Sequence, residues 1–186
     1  KPEYWTDGHI PWFTPSDLTG SRRRFAPEPK TRITDVGLLK SAARLFPAGS
    51  VMMTSRATLG VLGIATVESA CNQGFIVIPP KHEMSQQYVY EWLQSQAGRL
   101  EKIATGATFK EITKGAFKQF PVLVPSSETL AHFAEVVEHP SQMIMSLEHA
   151  NQLLAQTRDL VLPRLVTGQL DISDIDLGVL TPTEPG

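Results

Sequence analysis

The chain has 186 residues, 41% hydrophobic and 19% charged, with one cysteine and a net charge of −2, which suits one or two globular domains with a real core. No apolar run approaches the roughly 20 residues that span a bilayer. The opening KPEYWTDGHIPW is polar and aromatic rather than signal-like, and the lone Cys71 rules out an intrachain disulfide or a zinc site of paired cysteines, as expected in a reducing cytoplasm. The small net charge hides an asymmetry: residues 1–125 hold 15 Lys/Arg against 10 Asp/Glu, and residues 126–186 hold 2 against 9. The first part suits a polyanion and the second suits protein contacts.

Residues 1–35 read as loop-rich, with Pro11, Pro15 and Pro27 spread along them and Trp5 and Trp12 flanking DGHIP. The densest positive run is RRRF at 22–25, a solvated loop or a set of phosphate contacts through Arg22, Arg23 and Arg24. DVGLLKSAARLFPAGS predicts a short amphipathic helix, with Leu38, Leu39, Ala42, Leu45 and Phe46 at helical spacing and Pro47 and Gly49 ending it. Strands are predicted at 50–54, 61–67 and Gly74–Ile78, the last stopped by Pro79-Pro80. SQQYVYEWLQSQAGRLEKIA predicts a helix over 85–104 with Ser85 as N-cap and a division near Gly98. TGATFKEITKGAFKQF opens with a tight glycine turn, and PVLVP at 121–125 reads as a short strand.

From Ser126 a capped helix is expected, broken near Pro140, with a second helix from 141 into the 160s closed by Pro163 and Gly168. Written as heptads, Ile144, Leu147, Asn151, Leu154, Arg158, Val161 and Leu165 fall on one seam. The seam fits a partner helix, or equally a helix packed on its own domain. The tail LTPTEPG is expected to be disordered. The expected fold is therefore an α/β (α+β) domain over 1–125, a long C-terminal helical region over 126–170 and a tail over 171–186.

No catalytic constellation emerges. Phosphate-loop, dinucleotide and nucleophile-elbow glycine patterns are missing, and so is the Asn-Pro-Pro-aromatic motif of adenine methylation. EPK at 28–30 supplies half of a nuclease pattern without its acidic partner. The five histidines, at 9, 82, 132, 139 and 149, do not converge at metal-ligand spacing. Cys71 reads as a small core residue rather than a nucleophile. The expectation is a protein without catalytic residues, metal or cofactor.

GHIPWFTPSDL, SAARLFPAGSVMMTSRATLG, ACNQGFIVIPP, ATGATFKEITKGAFKQFPVLVP and LLAQTRDLVLPRLVTGQLDI, in that order, resemble the DNA specificity subunit of type I restriction-modification systems. The resemblance covers residues 3–173 and looks most like the C-terminal half of a two-domain subunit. The chain is thus expected to be a half subunit, natural or cut from a longer chain. The resemblance implies a non-catalytic target recognition domain over 1–125 that reads one half of a split site in double-stranded DNA. It implies a helical arm over 126–170 that pairs antiparallel with a second half-subunit or a second copy and docks the modification subunits, with restriction subunits as further partners of the complex. An antiparallel pairing leaves the register role of Asn151 open. A helix over 141–162 would be about 33 Å long, close to the roughly 34 Å of one DNA turn, so it could set the distance between half-sites.

Candidate DNA contacts follow. TSRATLG places Ser55, Arg56 and Thr58 on a loop between two strands, where arginine suits guanine and hydroxyls suit either donors or acceptors. Arg56 is open between base contact, phosphate contact and scaffold. Sequence choice is expected from the loops at 19–34 and 79–87, with the three arginines, Lys30 and Lys81 in range. Asn72 and Gln73 of NQGF either pair with adenine or fix the turn before the strand. Thr105 and Thr108 either grip phosphates near Lys110 and Lys114 or cap the next helix. The rival reading is a structural or inhibitory module that binds subunits without reading DNA.

Overall fold

Val51-Met52-Met53-Thr54 is buried at all four positions, the pattern of a strand covered on both faces rather than one. The computed structural model describes residues 1–81, 84–106 and 110–170. In chain order they comprise β1 (Ile10–Phe13), α1 (Pro15–Ser21), β2 (Phe25–Ala26), β3 (Arg32–Ile33), α2 (Asp35–Leu39), β4 (Val51–Thr54), β5 (Leu62–Ala65), β6 (Ala70–Cys71) and β7 (Phe75–Ile78). The helices α3 (Gln86–Ser95), α4 (Ala97–Ile103), α5 (Lys114–Lys118) and α6 (Ser127–Val166) complete the set.

β4 is central in a four-stranded sheet ordered β2-β5-β4-β7, and β1 is central in a second sheet ordered β3-β1-β6. The β4–β5 and β4–β7 pairs are antiparallel, while β2 joins β5 in parallel. The two-residue alternation of a strand splits neighbouring methionines between two cores. Met53 packs with Ile64, Ile76, Leu93, Leu100 and Ile112, and Met52 packs with Phe13, Leu18, Phe46 and Phe75. A Cβ on Gly63 would lie 3.2 Å from the Leu18 side chain, so the glycine lets α1 approach the sheet. The fold is mixed α+β with a long C-terminal helix, in line with the expected class.

Several expectations need correction. The helix predicted over DVGLLKSAARLF is cut to the five residues of α2, capped by Thr34 whose hydroxyl accepts from the Gly37 N–H. Ser41 then competes with the helix locally: its hydroxyl donates to the Leu38 carbonyl and accepts from the Ala43 N–H. Phe46 instead exchanges two backbone bonds with Ser69. The strand predicted at 121–125 has no ladder, because Pro121 and Pro125 lack donors. The Leu123 carbonyl accepts from the Tyr88 hydroxyl instead, at 2.7 Å. Residues 1–35 are more ordered than expected: β1 pairs with β3 and β6 through different halves, Ile10-Pro11 and Trp12-Phe13.

Ser126 opens α6 as expected, its hydroxyl accepting from the Thr129 N–H. The helix then runs 40 residues through both Pro140 and Pro163. A helix-interior proline costs about 3 kcal/mol, and here the flanking turns carry it without a break. Gly168, at φ +70°, supplies the left-handed closing residue that Pro163 does not. Ser85 caps α3, and the division near Gly98 falls two residues earlier, at Gln96. Lys1–Met145 form one compact unit and a second begins at Ser146. The expected tail, 171–186, lies outside the described residues.

Two measurements by urea denaturation check this reading. Leu93→Ala should cost about 2–5 kcal/mol, the usual loss for a fully buried leucine. Pro140→Ala should raise helix stability, by up to about 3 kcal/mol if the proline strain is unrelieved.

Candidate nucleic-acid interface

Thr54 ends β4 and organises the loop that follows. Its N–H donates to the Val61 carbonyl and its carbonyl accepts from the Gly60 N–H, both at 2.9 Å. Its hydroxyl donates to the Thr58 carbonyl at 2.5 Å and accepts from the Val61 N–H at 3.0 Å. Ala57 is forced to φ +59° and Gly60 to φ +74°. The exposed tip is Arg56-Ala57-Thr58.

Ser55 ties this loop to two others. It is 3% exposed. Its N–H donates to the Gly74 carbonyl at 2.8 Å, and its carbonyl accepts from the Ile112 N–H at 3.0 Å. On the first side, the Asn72 carboxamide oxygen accepts from the Gly74 N–H at 2.9 Å, a side-chain turn that leaves Gln73 exposed at its corner. A Cβ on Gly74 would stand 2.7 Å from Pro15, so only glycine lets this turn pass α1. On the second side, Thr105 and Glu111 exchange backbone bonds at 2.9 and 2.8 Å. Glu111 also receives the Arg56 Nε–H at 2.9 Å. Three segments quoted separately from the sequence, TSRATLG, NQGF and TGATFKEI, therefore meet at Ser55-Arg56.

The structure brings together Ser55, Arg56, Thr58, Asn72, Gln73, Thr105 and Lys110, the last beside Glu111. Ser55 contributes backbone bonds from a buried position, and Asn72 holds its own turn. Arg56 is 46% exposed in its ion pair, and among the described residues its fork of five donors spends one on Glu111. Lys114 is exposed at the start of α5, whose cap is Thr113 rather than Thr105. Thr108 lies outside the described residues.

The three-arginine run is divided. Arg22 is exposed, in the left-handed conformation that ends α1. Arg23 is half-buried. Arg24 turns inward: its side chain is 14% exposed, paired with Glu91 and lying 4.5 Å over the Tyr90 ring. Lys30 and Lys81 are exposed on other loops. No hydrogen bond or ion pair among the described residues joins Arg22, Lys30 or Lys81 to the Ser55 cluster. Sequence reasoning missed Glu111, the carboxylate that holds Arg56, although TGATFKEI contains it; its ion pair spans 55 positions, and no local pattern announces such a partner. It also missed Arg44 and Lys118, which line a groove with Lys114.

Burial pushes the Cys71 thiol up from 9.0 to about 11, with nearby Lys114 pulling weakly the other way. Among the described residues no group of three or more His, Cys, Asp or Glu could hold a metal ion, and no helix is long and apolar enough to cross a membrane.

Residues 1–150 match the family described as the type I restriction modification DNA specificity domain, and the chain belongs to that family. It is 31% identical over 154 residues to the type I restriction enzyme MjaIX specificity subunit of Methanocaldococcus jannaschii, covering 82% of this chain and 35% of the relative. It is 29% identical over 147 residues to the HindI specificity subunit of Haemophilus influenzae, covering 75% and 32%. The fold matches the crystal structure of the type I restriction-modification S subunit from M. genitalium with a TM-score of 0.58 at 17% identity, over 89% of this chain and 40% of that one. The chain spans about a third of the length of the curated relatives it matches.

The site makes three checks possible. Gly74→Ala should cost about 1–3 kcal/mol in urea denaturation, because a methyl group is forced against Pro15. Cys71 should react with iodoacetamide at pH 8 roughly a hundredfold more slowly than a free cysteine, since its thiolate fraction is lower by that factor. The same shift should make stability fall as pH rises from about 9 to about 11, where the unfolded thiol ionises and the folded one does not.

Proposed function

We propose that this chain reads one half of a bipartite site in double-stranded DNA, as the non-catalytic specificity component of a type I restriction-modification complex in the cytoplasm. The observation that carries the reading is the convergence of TSRATLG, NQGF and TGATFKEI on the Ser55 backbone. It presents Arg56, Thr58 and Gln73 together from a rigid frame, in a chain of the DNA specificity family. Arg56 and Gln73 carry the donors suited to guanine and adenine edges in a major groove. Arg22, Lys30, Lys81, Thr105 and Lys110 are the proposed phosphate contacts. Ser55, Asn72 and Arg24 belong to the frame on the strength of their burial or internal bonds.

The proposed division of labour places recognition in 1–125 and assembly in 126–170. On α6 the seam side chains Ile144, Leu147 and Leu154 are exposed, Leu147 and Leu154 at 57% and 67%. Val161 and Leu165 are half-buried and Asn151 and Arg158 exposed. Exposed leucines at heptad spacing favour a partner helix, supplied by a second half-subunit or a second copy. Modification and restriction subunits would bring methylation and cleavage. The rival reading, a subunit-binding module that does not read DNA, draws on the Glu111 pair, which gives Arg56 a structural partner.

Co-expression with the modification subunit in a methylation-free host, followed by mapping of modified adenines, tests the reading. A gapped motif is expected, and an assembled complex that leaves no methylation above background refutes a self-sufficient reader. In that complex Arg56→Ala should weaken specific binding by about 5- to 150-fold if Arg56 meets a base. If it meets phosphate, the loss should be uniform across sequences with a salt slope smaller by about one. Inserting four residues after Asn151 adds about 6 Å of helix and should widen the unread spacer by about two base pairs; an unchanged spacer removes the helix as the measure of that distance.

A further inference from the structure

An ion pair at the surface adds little to stability, and the Arg56–Glu111 pair is of that kind, its side chains 46% and 37% exposed. Yet the fold fixes Glu111 from two sides. On one side it bridges to Thr105, through backbone bonds of 2.9 and 2.8 Å. On the other it bridges to Arg56, where its neighbour Ile112 donates to the Ser55 carbonyl. One residue thus holds Arg56 twice, at the backbone bridge and at the Nε–H, which the Glu111 Oε1 accepts at 2.9 Å. The next residue, Ala57, keeps a left-handed φ of +59°, a conformation that a residue with a Cβ holds only at a cost.

This arrangement leaves one part of the guanidinium to a ligand. A guanidinium carries five donors in a planar fork. With Nε taken, the two Nη atoms offer a parallel pair of N–H donors, and among the described residues neither donates to a protein acceptor. Such a pair matches O6 and N7 of guanine in the major groove. It equally matches two phosphate oxygens, so hydrogen-bond geometry does not separate the two ligands. The charge of Glu111 does. Arg56 and Glu111 together carry no net charge, and a phosphate at the Nη edge would stand well within a Debye length of the carboxylate and be repelled by it. A guanine edge has no net charge and keeps both hydrogen bonds.

We propose that Glu111 is a positioning residue that makes Arg56 a guanine reader and keeps it off phosphate. The inference rests on the DNA-reading function and deepens it. One position of the half-site is assigned to guanine, and a carboxylate acting through Arg56 decides it. The ion pair thereby has a role beyond framing the loop, which is the role the rival reading takes from it.

Binding titrations of the complex with the modification subunit test it, on a duplex carrying the mapped motif and on one of scrambled sequence, each over a range of salt. For the wild type, 7-deazaguanine is placed at each guanine of the half-site in turn; it lacks the N7 acceptor and keeps base pairing. It should weaken binding by about tenfold at one position. Glu111→Ala should abolish that sensitivity and lower the ratio of specific to scrambled affinity by about tenfold. Scrambled binding should be no weaker, with a salt slope larger by about one. A merely structural loss would weaken both duplexes alike. In an Arg56→Ala background Glu111→Ala should leave the ratio unchanged, because Glu111 acts only through Arg56. Glu111→Gln keeps an acceptor for the Nε–H without the charge. It should tighten scrambled binding while retaining part of the ratio, and it keeps the test intact if the alanine variant does not fold. A wild-type complex with no preference for its motif refutes the DNA-reading function, and this inference with it. Where the wild type prefers its motif, the inference alone is overturned if Glu111→Ala keeps the ratio, if it weakens both duplexes alike, or if no 7-deazaguanine position matters.

Discussion

The two backbone bonds of Ser55 are what the candidate interface depends on. The residue is buried, so its N–H and C=O have no water to fall back on. An unmade bond there costs about 1–3 kcal/mol, more than a made one contributes net. The chain meets that demand with Gly74 on one side and Ile112 on the other, and so brings three stretches far apart in sequence to one place. The bonds use main-chain atoms and leave the tip side chains free of framing duty, except for the Nε of Arg56. A frame of this kind can hold while the groups it presents differ. That is what the proposed recognition scaffold needs.

The charge of the first 125 residues is spent in several ways. Arg24 is folded against Glu91 and Tyr90, where a guanidinium can stack and pair at once. Arg32 pairs with Glu28 and donates to the His9 carbonyl at 2.9 Å. Arg22, Lys30, Lys81 and Lys110 stay on the surface, and Arg44, Lys114 and Lys118 line one groove. Positive residues adjacent in the chain thus have different partners in space. A basic composition raises local anion concentration by its long-range field, but the contacts depend on which cations the fold has already engaged.

In α6 the same separation of roles appears along a helix. Ser126 and Gly168 supply the two ends, and the interior prolines do not divide it. Hydrogen bonding on either side of a missing donor is enough to carry the helix on. Its exposed leucines and methionines are what the proposed partner helix would cover.

By itself, the sequence determined the elements whose signals are local. β4, β5 and β7 follow from apolar runs between turn residues, α3 from its Ser85 cap and apolar stripe, and the start of α6 from its Ser126 cap. It also determined the family, because several short motifs in fixed order are individually weak and jointly specific. It misread 40–46, where Ser41 hydrogen bonds outcompete an amphipathic pattern, and 121–125, where two prolines deny a strand its ladder. Only the tertiary structure decided that Ser55 is buried, that Arg24 faces inward, that Glu111 holds Arg56 and that Arg44 joins Lys114 and Lys118 on one groove. Each of these joins residues distant along the chain, and the bond that decides it exists only once the sheet has set their separation.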